Sequence, residues 1–237
     1  MLGIGNNDWK AKSCDVKYLL LTLISFISAF AFGQPREVEI WNPPIGEDRF
    51  LITFNTDGWL NTPDGIELRP YSLGIESHIM YDYQFGKSIM SFSWGYGFSS
   101  HNVHHNGFFA ADTTNNQLTR LYPFEKSYNY IKNKLHATYL EVPLELRLRT
   151  RGETPFKLYL GAKVGYLVNI HSKTKDYSGK TKFYGLDNVM NLRYGVTAKI
   201  GYDAWTISGF YSLTPLINEG GGDRLIPYSL GISFFLL

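Results

Sequence analysis

The chain lacks the features that would mark a helical membrane protein, a disulfide scaffold or a nucleic-acid-binding protein. Its only long apolar run, residues 18–32, falls short of the roughly 20 residues that cross a bilayer as a helix. It has one cysteine, which excludes a disulfide within the chain. Its net charge of +2 gives no reason to expect an interaction with nucleic acid.

Motifs for catalysis and nucleotide binding are also missing. There is no Gly-x-Ser-x-Gly segment, and the glycines at 220–222 are typical of a hairpin loop rather than a phosphate-binding loop. His101, His104 and His105 lie close together in sequence, but no cysteine or carboxylate ligand accompanies them. We therefore expect solvated loop histidines, and we predict no catalytic residue, no cofactor and no metal, hence no enzyme.

The amino-terminal apolar run has the pattern of a secretory signal peptide. Three lysines precede it, and Ala31, Phe32 and Gly33 supply a cleavage site after Gly33. An anchoring helix is the alternative, but the run is short for a span. We predict a signal peptide with an extended basic region, then a periplasmic linker and one barrel domain, at residues 1–33, 34–48 and 49–237. Cleavage would remove Cys14.

What the chain has instead is strict two-residue alternation, which is clearest between residues 139 and 165. Leu140 and Val142 take one set of positions there, and Glu141 and Glu145 take the other. Side chains alternate between the two faces of a strand, so this segment is two strands with one apolar and one polar face. Aromatic residues make up 16% of the chain, which suits a membrane barrel with aromatic girdles.

The same alternation predicts eight strands. They span residues 49–56, 71–83, 89–99, 139–149, 156–165, 192–202, 205–213 and 228–237. Long and short connections alternate strictly between them; residues 57–68 are predicted to be a loop, and the longest loops are 101–134 and 171–187. An even strand number with loops of two lengths is typical of an outer-membrane barrel. We therefore predict an all-β fold, an eight-stranded antiparallel up-and-down transmembrane β-barrel.

A soluble barrel of the lipocalin type is the alternative architecture. In that fold the apolar face would line the interior and the charged face would lie in water. Against it, glycine and serine share the charged face, and such small residues fit the narrow interior of a small barrel. The opposite face carries aliphatic residues in mid-strand and aromatic residues near the strand ends, as in a lipid belt with girdles.

Charged residues on the face predicted to point inward form the one candidate site. They are Glu76, His78, Asp82, Glu141, Glu145, Arg147, Arg149, Lys157, Lys163, Arg193 and Lys199. We interpret them as a network of ion pairs that fills the lumen, where charges must be paired because water is scarce. A narrow selective pore and acid–base catalysis by Glu141 and Glu145 are the alternatives. Pro143 shares this face and cannot donate to a strand ladder, so we expect a β-bulge there.

Three segments resemble the outer-membrane β-barrel family of Bacteroidota, the porin-like or PorT-like proteins. Residues 139–144, Tyr-Leu-Glu-Val-Pro-Leu, resemble the family's recurrent Tyr-Leu-Glu-Ile-Pro-Leu segment. Gly33-Gln34 resembles the cleavage context common in that phylum, and residues 210–216 with 228–234 resemble the family's last hairpin. The resemblance implies an outer-membrane barrel and brings no catalytic motif. Because PorT serves the type IX secretion system, it also implies an accessory role in protein secretion.

We therefore expect a non-enzymatic protein of the Gram-negative cell outer membrane, exported through a cleaved signal peptide, whose extracellular loops bind a partner. Long loops on a rigid scaffold commonly carry binding. Loops 101–134 and 171–187 are the candidates for contacts with another outer-membrane or secretion-system protein, and the other expected contact is outer-membrane lipid. A small porin or channel is the alternative function, and an outer-membrane enzyme is a less favoured one.

Overall fold

The computed structural model describes residues 49–112, 118–152, 154–184, 186–218 and 220–236. The predicted signal peptide at 1–33 and the predicted linker at 34–48 lie outside the described residues. Among those that are described, no helix has the length and apolar character needed to cross a membrane.

The regular structure of the described residues consists of strands. They are β1 (Phe50–Leu60), β2 (Leu73–Gln84), β3 (Met90–His104), β4 (Gly107–Asp112), β5 (Leu118–Pro123), β6 (Tyr130–Arg149), β7 (Phe156–Asp176), β8 (Lys180–Phe183), β9 (Leu192–Tyr202), β10 (Trp205–Ser212) and β11 (Ile226–Leu236). All except β4, β5 and β8 form one closed antiparallel sheet, because β1 pairs with β11 and β6 pairs with β7. The predicted eight-stranded barrel is confirmed. β4 and β5 form a separate hairpin, and β8 pairs with the end of β7.

The connections at the two ends of the barrel differ greatly in length. One end holds three short turns, at residues 85–89, 150–155 and 203–204, and the pairing of Phe50 with Leu236. The other end holds the four long connections, at residues 61–72, 105–129, 177–191 and 213–225. We call these the short-turn end and the long-loop end.

The outward face of the barrel is an apolar belt. Leu144, Leu160 and Ile207 leave 40%, 54% and 55% of their surfaces exposed on three different strands. Aromatic residues border the belt at both ends, with Trp205 near the short-turn end and Tyr166 toward the long-loop end. A continuous ring of exposed apolar side chains is stable against lipid and not against water.

The belt ends part of the way along β6, where the polarity of the two faces reverses. From Leu140 onward the outward residues are apolar and the inward ones are polar. Before that point the inward residues are apolar and buried, as at Leu135, Ala137 and Tyr139, while the outward ones are lysine, histidine and threonine. β6 is therefore a membrane strand over one part of its length and a strand of a water-exposed unit over the other.

This reversal explains why several predicted strand boundaries are wrong. β3 continues to His104, β6 begins already at Tyr130, and β7 continues to Asp176. Much of the two predicted long loops is therefore strand, and loop 101–134 also contains the β4–β5 hairpin. The prediction sought apolar residues on the outward face, and beyond the belt the apolar residues of β3 and β6, such as Val103 and Leu135, point inward.

β1 also runs further than predicted, through Asp57 to Leu60. Asp57 and Gly58 have the composition of a turn, but Asp57 points into the barrel and accepts hydrogen bonds from residues of other strands. A Cβ on Gly58 would come within 2.6 Å of the ring of Tyr228. Glycine thus leaves room for the Tyr228 ring over the strand and does not mark a turn here.

The β-bulge expected at Pro143 is absent. The pairing of β6 with β7 runs in register through Pro143 and Lys163, and one of its irregularities lies instead between Thr138 and Tyr139. The register with β3 is also kept, although Pro143 and Val142 make no bridge to that strand. The strand thus accommodates proline by leaving ladder positions unpaired, without an added residue.

Candidate functional site

Charged side chains fill the lumen, and Glu141 is the centre of their larger cluster. Lys163 Nζ lies 3.0 Å from Glu141 Oε2 and 3.0 Å from Glu76 Oε2, so one ammonium joins carboxylates from two strands. His78 Nε2 lies 3.2 Å from Glu141 Oε2, and the Arg193 guanidinium contacts Glu141 Oε1. All five side chains are buried. Their burial without water is tolerable because each charge has an opposite partner.

Arg193 extends this cluster toward the long-loop end. Its Nη2 lies 2.9 Å from His101 Nε2, and His101 Nδ1 lies 2.9 Å from Asp57 Oδ1. The guanidinium also lies over Tyr139, with Cζ 3.8 Å from the ring centroid. An arginine over an aromatic face gains electrostatic stabilisation that needs no second carboxylate.

A second cluster lies nearer the short-turn end, around the fully buried Arg147. Its Nη1 donates to Asp82 Oδ1 and its Nε donates to Glu145 Oε2, both at 2.8 Å. Lys199 pairs with the other oxygen of Glu145, and Arg149 pairs with the other oxygen of Asp82. Each carboxylate in this cluster therefore bridges two cations.

The structure places the predicted network residues in these two clusters, with Lys157 Nζ 4.6 Å from the ring centroid of Phe235. It adds Asn55, Asp57 and His101, which the sequence analysis left out of the network. Asn55 donates a hydrogen bond to Glu76 at 2.9 Å. Asp57 and His101 were assigned to loops. The alternation of side chains along a strand would have placed them inward only if β1 and β3 had been predicted to continue through these residues.

The three clustered histidines do not form a metal site, and the expectation that they are solvated is wrong. His101, His104 and His105 are 6%, 5% and 0% exposed. His101 points into the lumen, whereas His105 packs between the rings of Trp59 and Phe109 in the cap described below.

One group among the described residues, Glu76, His78 and Glu141, brings enough ligand atoms together for a metal ion. Lys163 Nζ lies 3.0 Å from both of these carboxylates. The positive charge at this site is therefore supplied by the chain itself.

Two small cavities remain beside the clusters. One is lined by Glu76, Glu145 and Lys199 among others, and the second is lined by residues that include Asp57 and Arg193. Their linings share one residue, Ser229. Each cavity is thus bordered by charged side chains of the network.

The four long loops pack together at the long-loop end into a cap with its own apolar core. The core consists of Trp59, Ile66, Val103, Phe109, Leu121, Leu135, Leu216, Ile217 and Leu225, with Leu68, Ile170, Leu186 and Val189 packed against it. Leu225 and Ile217 are 0% and 1% exposed, as in the interior of a soluble domain. The cap thus closes this end of the barrel with apolar side chains.

Hydrogen bonds join the cap loops to one another. Thr119 N donates to Gly221 O at 2.7 Å, and Leu121 N donates to a carboxylate oxygen of Asp223 at 2.7 Å. Thr119 Oγ1 donates to Asp187 O at 2.8 Å, which brings a third loop into the same set. Three loops are thus held in one arrangement through a single edge of the β4–β5 hairpin.

Asn133 and His105 fix the base of that hairpin. The Asn133 amide donates to the carbonyl oxygens of His105 and Gly107 at 3.0 and 2.6 Å, and Gly107 N donates to His105 Nδ1 at 3.2 Å. Burial, followed by the neighbouring His104, lowers the pKa of His105 to about 3. His105 is therefore neutral, with Nδ1 as the acceptor that this geometry requires.

The outer face of the hairpin carries exposed aromatic side chains. We call the set the aromatic strip: Phe108, Tyr122, Phe124, Tyr128 and Tyr130. Phe124 is its centre, with ring centroids 5.6 Å from Phe108, 4.8 Å from Tyr128 and 5.2 Å from Tyr130. Phe108, Tyr122 and Tyr128 are 42%, 37% and 40% exposed. An apolar patch of this kind on a rigid element is typical of a protein-binding surface.

The closed antiparallel barrel, its apolar outward belt and its charged, filled lumen together define an outer-membrane β-barrel protein. Comparison with known families agrees: residues 49–219 match the family described as outer membrane protein beta-barrel domain, and the chain belongs to this family. No curated protein matches the chain. In such barrels the long loops are extracellular, so the cap faces the outside of the cell.

Proposed function

We propose that the protein is a non-enzymatic outer-membrane protein whose extracellular cap binds another protein at the cell surface. The observation that carries the proposal is the cap itself, in which loops share one apolar core and turn the aromatic strip outward. A loop cluster without a binding role would not need a fixed arrangement of exposed rings. Binding residues commonly lie on loops that a rigid scaffold positions.

The aromatic strip favours a protein as the partner. Large aromatic side chains are enriched at the energetic centres of protein interfaces, where they bury much area at a low cost in conformational entropy. Asn133 and His105 fix the hairpin below the strip, so little order has to be gained on binding. The partner would be another outer-membrane or secretion-system protein, contacted through segments 101–134 and 171–187.

An accessory role in protein secretion is the finer form of this proposal. Its support is the resemblance of residues 139–144 to the recurrent segment of the PorT-like proteins of Bacteroidota. In the structure this segment supplies Glu141 and Pro143 to the lumen and Leu140 and Val142 to the belt. The segment thus serves the barrel, and the secretion role rests on the resemblance alone.

The lumen has a structural role in this proposal. Glu141 and Glu145 each contact two cations, so neither is free to accept a proton from a substrate. The buried ion pairs of the lumen and the apolar core of the cap disfavour the porin alternative, because conduction needs a continuous wet path.

Site-specific crosslinking in living cells tests the proposal. A photoreactive amino acid is placed at Tyr122 in the strip and, as the control, at Arg224, which is exposed in the same cap but lies outside both contact segments. We expect one adduct of defined mass from position 122 and none from position 224. The double variant Phe124→Ser and Tyr128→Ser should abolish that adduct, because it removes the centre of the strip.

Partner binding by this face would be contradicted if position 122 gave no adduct. It would also be contradicted if both positions gave equal adducts that persisted in the strip variant. Export of secreted proteins is measured in the same cells. Reduced export in the strip variant supports the secretion role, whereas normal export with a lost adduct removes that role and leaves partner binding.

A further inference from the structure

Six lysines stand in cross-strand register where three strands extend beyond the belt. We call them the lysine lattice: Lys132 and Lys134 on β6, Lys173 and Lys175 on β7, and Lys180 and Lys182 on β8. The pairing places Lys132, Lys175 and Lys180 in one row, and Lys134, Lys173 and Lys182 in the next. Residues directly opposite each other in a sheet point to the same face. All six therefore share one face.

That face is the outward one. On β6 the residues that follow each of these lysines, Asn133 and Leu135, are 2% exposed and point into the cap. The outward residues of the membrane part of the same strand, beginning at Leu140, face lipid. The lattice is thus on the lipid-facing side of the barrel, beyond the apolar belt.

The described part of the chain does not neutralise this charge. Like charges directly opposite each other destabilise a sheet, yet no carboxylate among the described residues forms an ion pair with any lattice lysine. The nearest acid in sequence, Asp176, accepts hydrogen bonds from the backbone of Ser178 and Gly179 and from Tyr128 instead. An arrangement that is unfavourable by itself indicates an anion supplied from outside.

The electrostatic effect of the lattice is visible at neighbouring groups outside the membrane. Burial, followed by the charges of Lys132 and Lys173, lowers the pKa of Lys134. The pKa of His136, in the next row, is lowered to about 4 by burial, then by His171 and Lys134. The region therefore carries a positive potential that would attract an anion.

The height of the lattice identifies the anion. Lys134 is six residues beyond Leu140, which corresponds to about 20 Å along a strand and, at the usual tilt, roughly 15 Å above the belt. The headgroup layer of a phospholipid bilayer adds only about 5–7 Å on each side of the hydrocarbon core. Only a lipid with a tall, phosphorylated sugar headgroup presents anions at this height.

We propose that the lysine lattice binds the phosphate groups of the outer-leaflet glycolipid, lipopolysaccharide. Adjacent strands lie about 4.8 Å apart and alternate residues about 6.8 Å apart, so several ammonium groups reach one phosphate. Lysine's flexible stem lets the ammonium extend toward a headgroup while its methylenes cover apolar surface. The site adjoins the aromatic strip at Tyr130 on β6 but does not depend on the proposed protein partner.

Titration of rough lipopolysaccharide, whose core sugars carry phosphates above lipid A, into the purified full-length protein in detergent tests the proposal. The lattice variant Lys173→Gln with Lys182→Gln is compared with Lys87→Gln and Lys126→Gln, which removes the same charge from exposed positions outside the lattice. We expect the lattice variant to weaken lipopolysaccharide binding at least tenfold, and the control variant less than twofold. Unchanged gel mobility before and after boiling establishes that each variant is folded.

Further probes separate the sources of phosphate and the class of ligand. The same lipopolysaccharide with its core phosphates removed should bind no better to the native protein than to the lattice variant. Inorganic phosphate alone, at the same phosphate concentration, should compete poorly, since it lacks the acyl chains that hold the lipid beside the belt. Equal affinity for the lipopolysaccharide without core phosphates, equal losses in the two variants, or tighter binding of a polyglutamate peptide would each overturn the proposal.

Discussion

The interior of this protein has two regions that are filled by opposite kinds of side chain. In the membrane part the lumen is packed with ion pairs around Glu141 and Arg147. In the cap the interior is apolar, with Leu225 and Ile217 almost without exposure. The medium around each region therefore determines the polarity of its interior side chains. A barrel in lipid places its apolar residues outside, and a cap in water places them inside.

Both regions are built from the same strands. β6 has apolar outward residues from Leu140 and apolar inward residues before it, and the reversal occurs close to the pairing irregularity between Thr138 and Tyr139. A single strand thus crosses from the membrane into water without a break in the sheet. The cap is therefore anchored to the barrel by continuous strands as well as by loops.

The largest expected effect is in the lumen. Glu141→Ala leaves Arg193 and Lys163 buried with fewer partners, which costs about 3–5 kcal/mol because a buried charge without compensation is strongly disfavoured. The measurement is the temperature at which the folded, fast-migrating band is lost on gels. We expect a clear decrease.

Glu67→Gln is the matched control, because Glu67 is an exposed carboxylate of the cap. It should leave the transition within the error of the wild type. An equal decrease in both variants would mean that the lumen network contributes nothing specific to stability.

The next effect concerns the cap core. Leu225→Ala removes a fully buried side chain, and such changes cost about 2–5 kcal/mol. We expect proteases to cleave the cap faster while the barrel's heat-modifiable band persists. Leu230→Ala, on a lipid-facing residue with 56% exposure, should not increase cleavage. Loss of the folded band in Leu225→Ala would show that cap and barrel unfold together.

A smaller effect follows from pH. The pKa of His105 is lowered to about 3 by burial, against about 6.5 when unfolded, so the folded cap prefers neutral histidine. The stability that neutral His105 contributes is fully present above pH 6.5 and is lost as the pH falls toward 3. The loss amounts to about 2 kcal/mol at pH 5. Cap proteolysis should therefore be faster at pH 5 than at pH 7.5.

His105→Phe keeps an aromatic ring between Trp59 and Phe109 and removes the titrating group. It should reduce the difference in cleavage between the two pH values. An undiminished difference would assign the pH dependence to other histidines, such as His136.

The sequence was sufficient to predict the barrel because lipid imposes a long, regular pattern. Eight segments with apolar residues at every second position, joined by alternating short and long connections, define the strand number and the inward face. The inward positions of Glu141, Arg147 and Lys163 follow from that pattern alone. Their partners do not, because ion pairs such as Lys163 with Glu76 join distant strands whose register the sequence does not state.

The cap could not be predicted in the same way. Its core residues come from several loops and from the ends of β1, β3 and β6, and residues such as Leu216 and Leu225 have no period that marks them as buried. The strand extensions were missed because their polarity is reversed, so Lys132 and Lys134 were interpreted as parts of a polar loop. Asp57 was missed because an Asp-Gly pair is also a common turn signal.

The central claim is that the lumen is filled by its own ion pairs and that the cap is a binding surface rather than a gate. The most direct test is conductance in a planar bilayer of the wild type and of a variant in which residues 107–123 are replaced by a short Gly-Ser linker. We predict that neither protein conducts ions, because the ion pairs of Glu141 and Arg147 remain in place. Steady conductance after removal of the hairpin would contradict it, since the lumen would then be a pore that the cap closes.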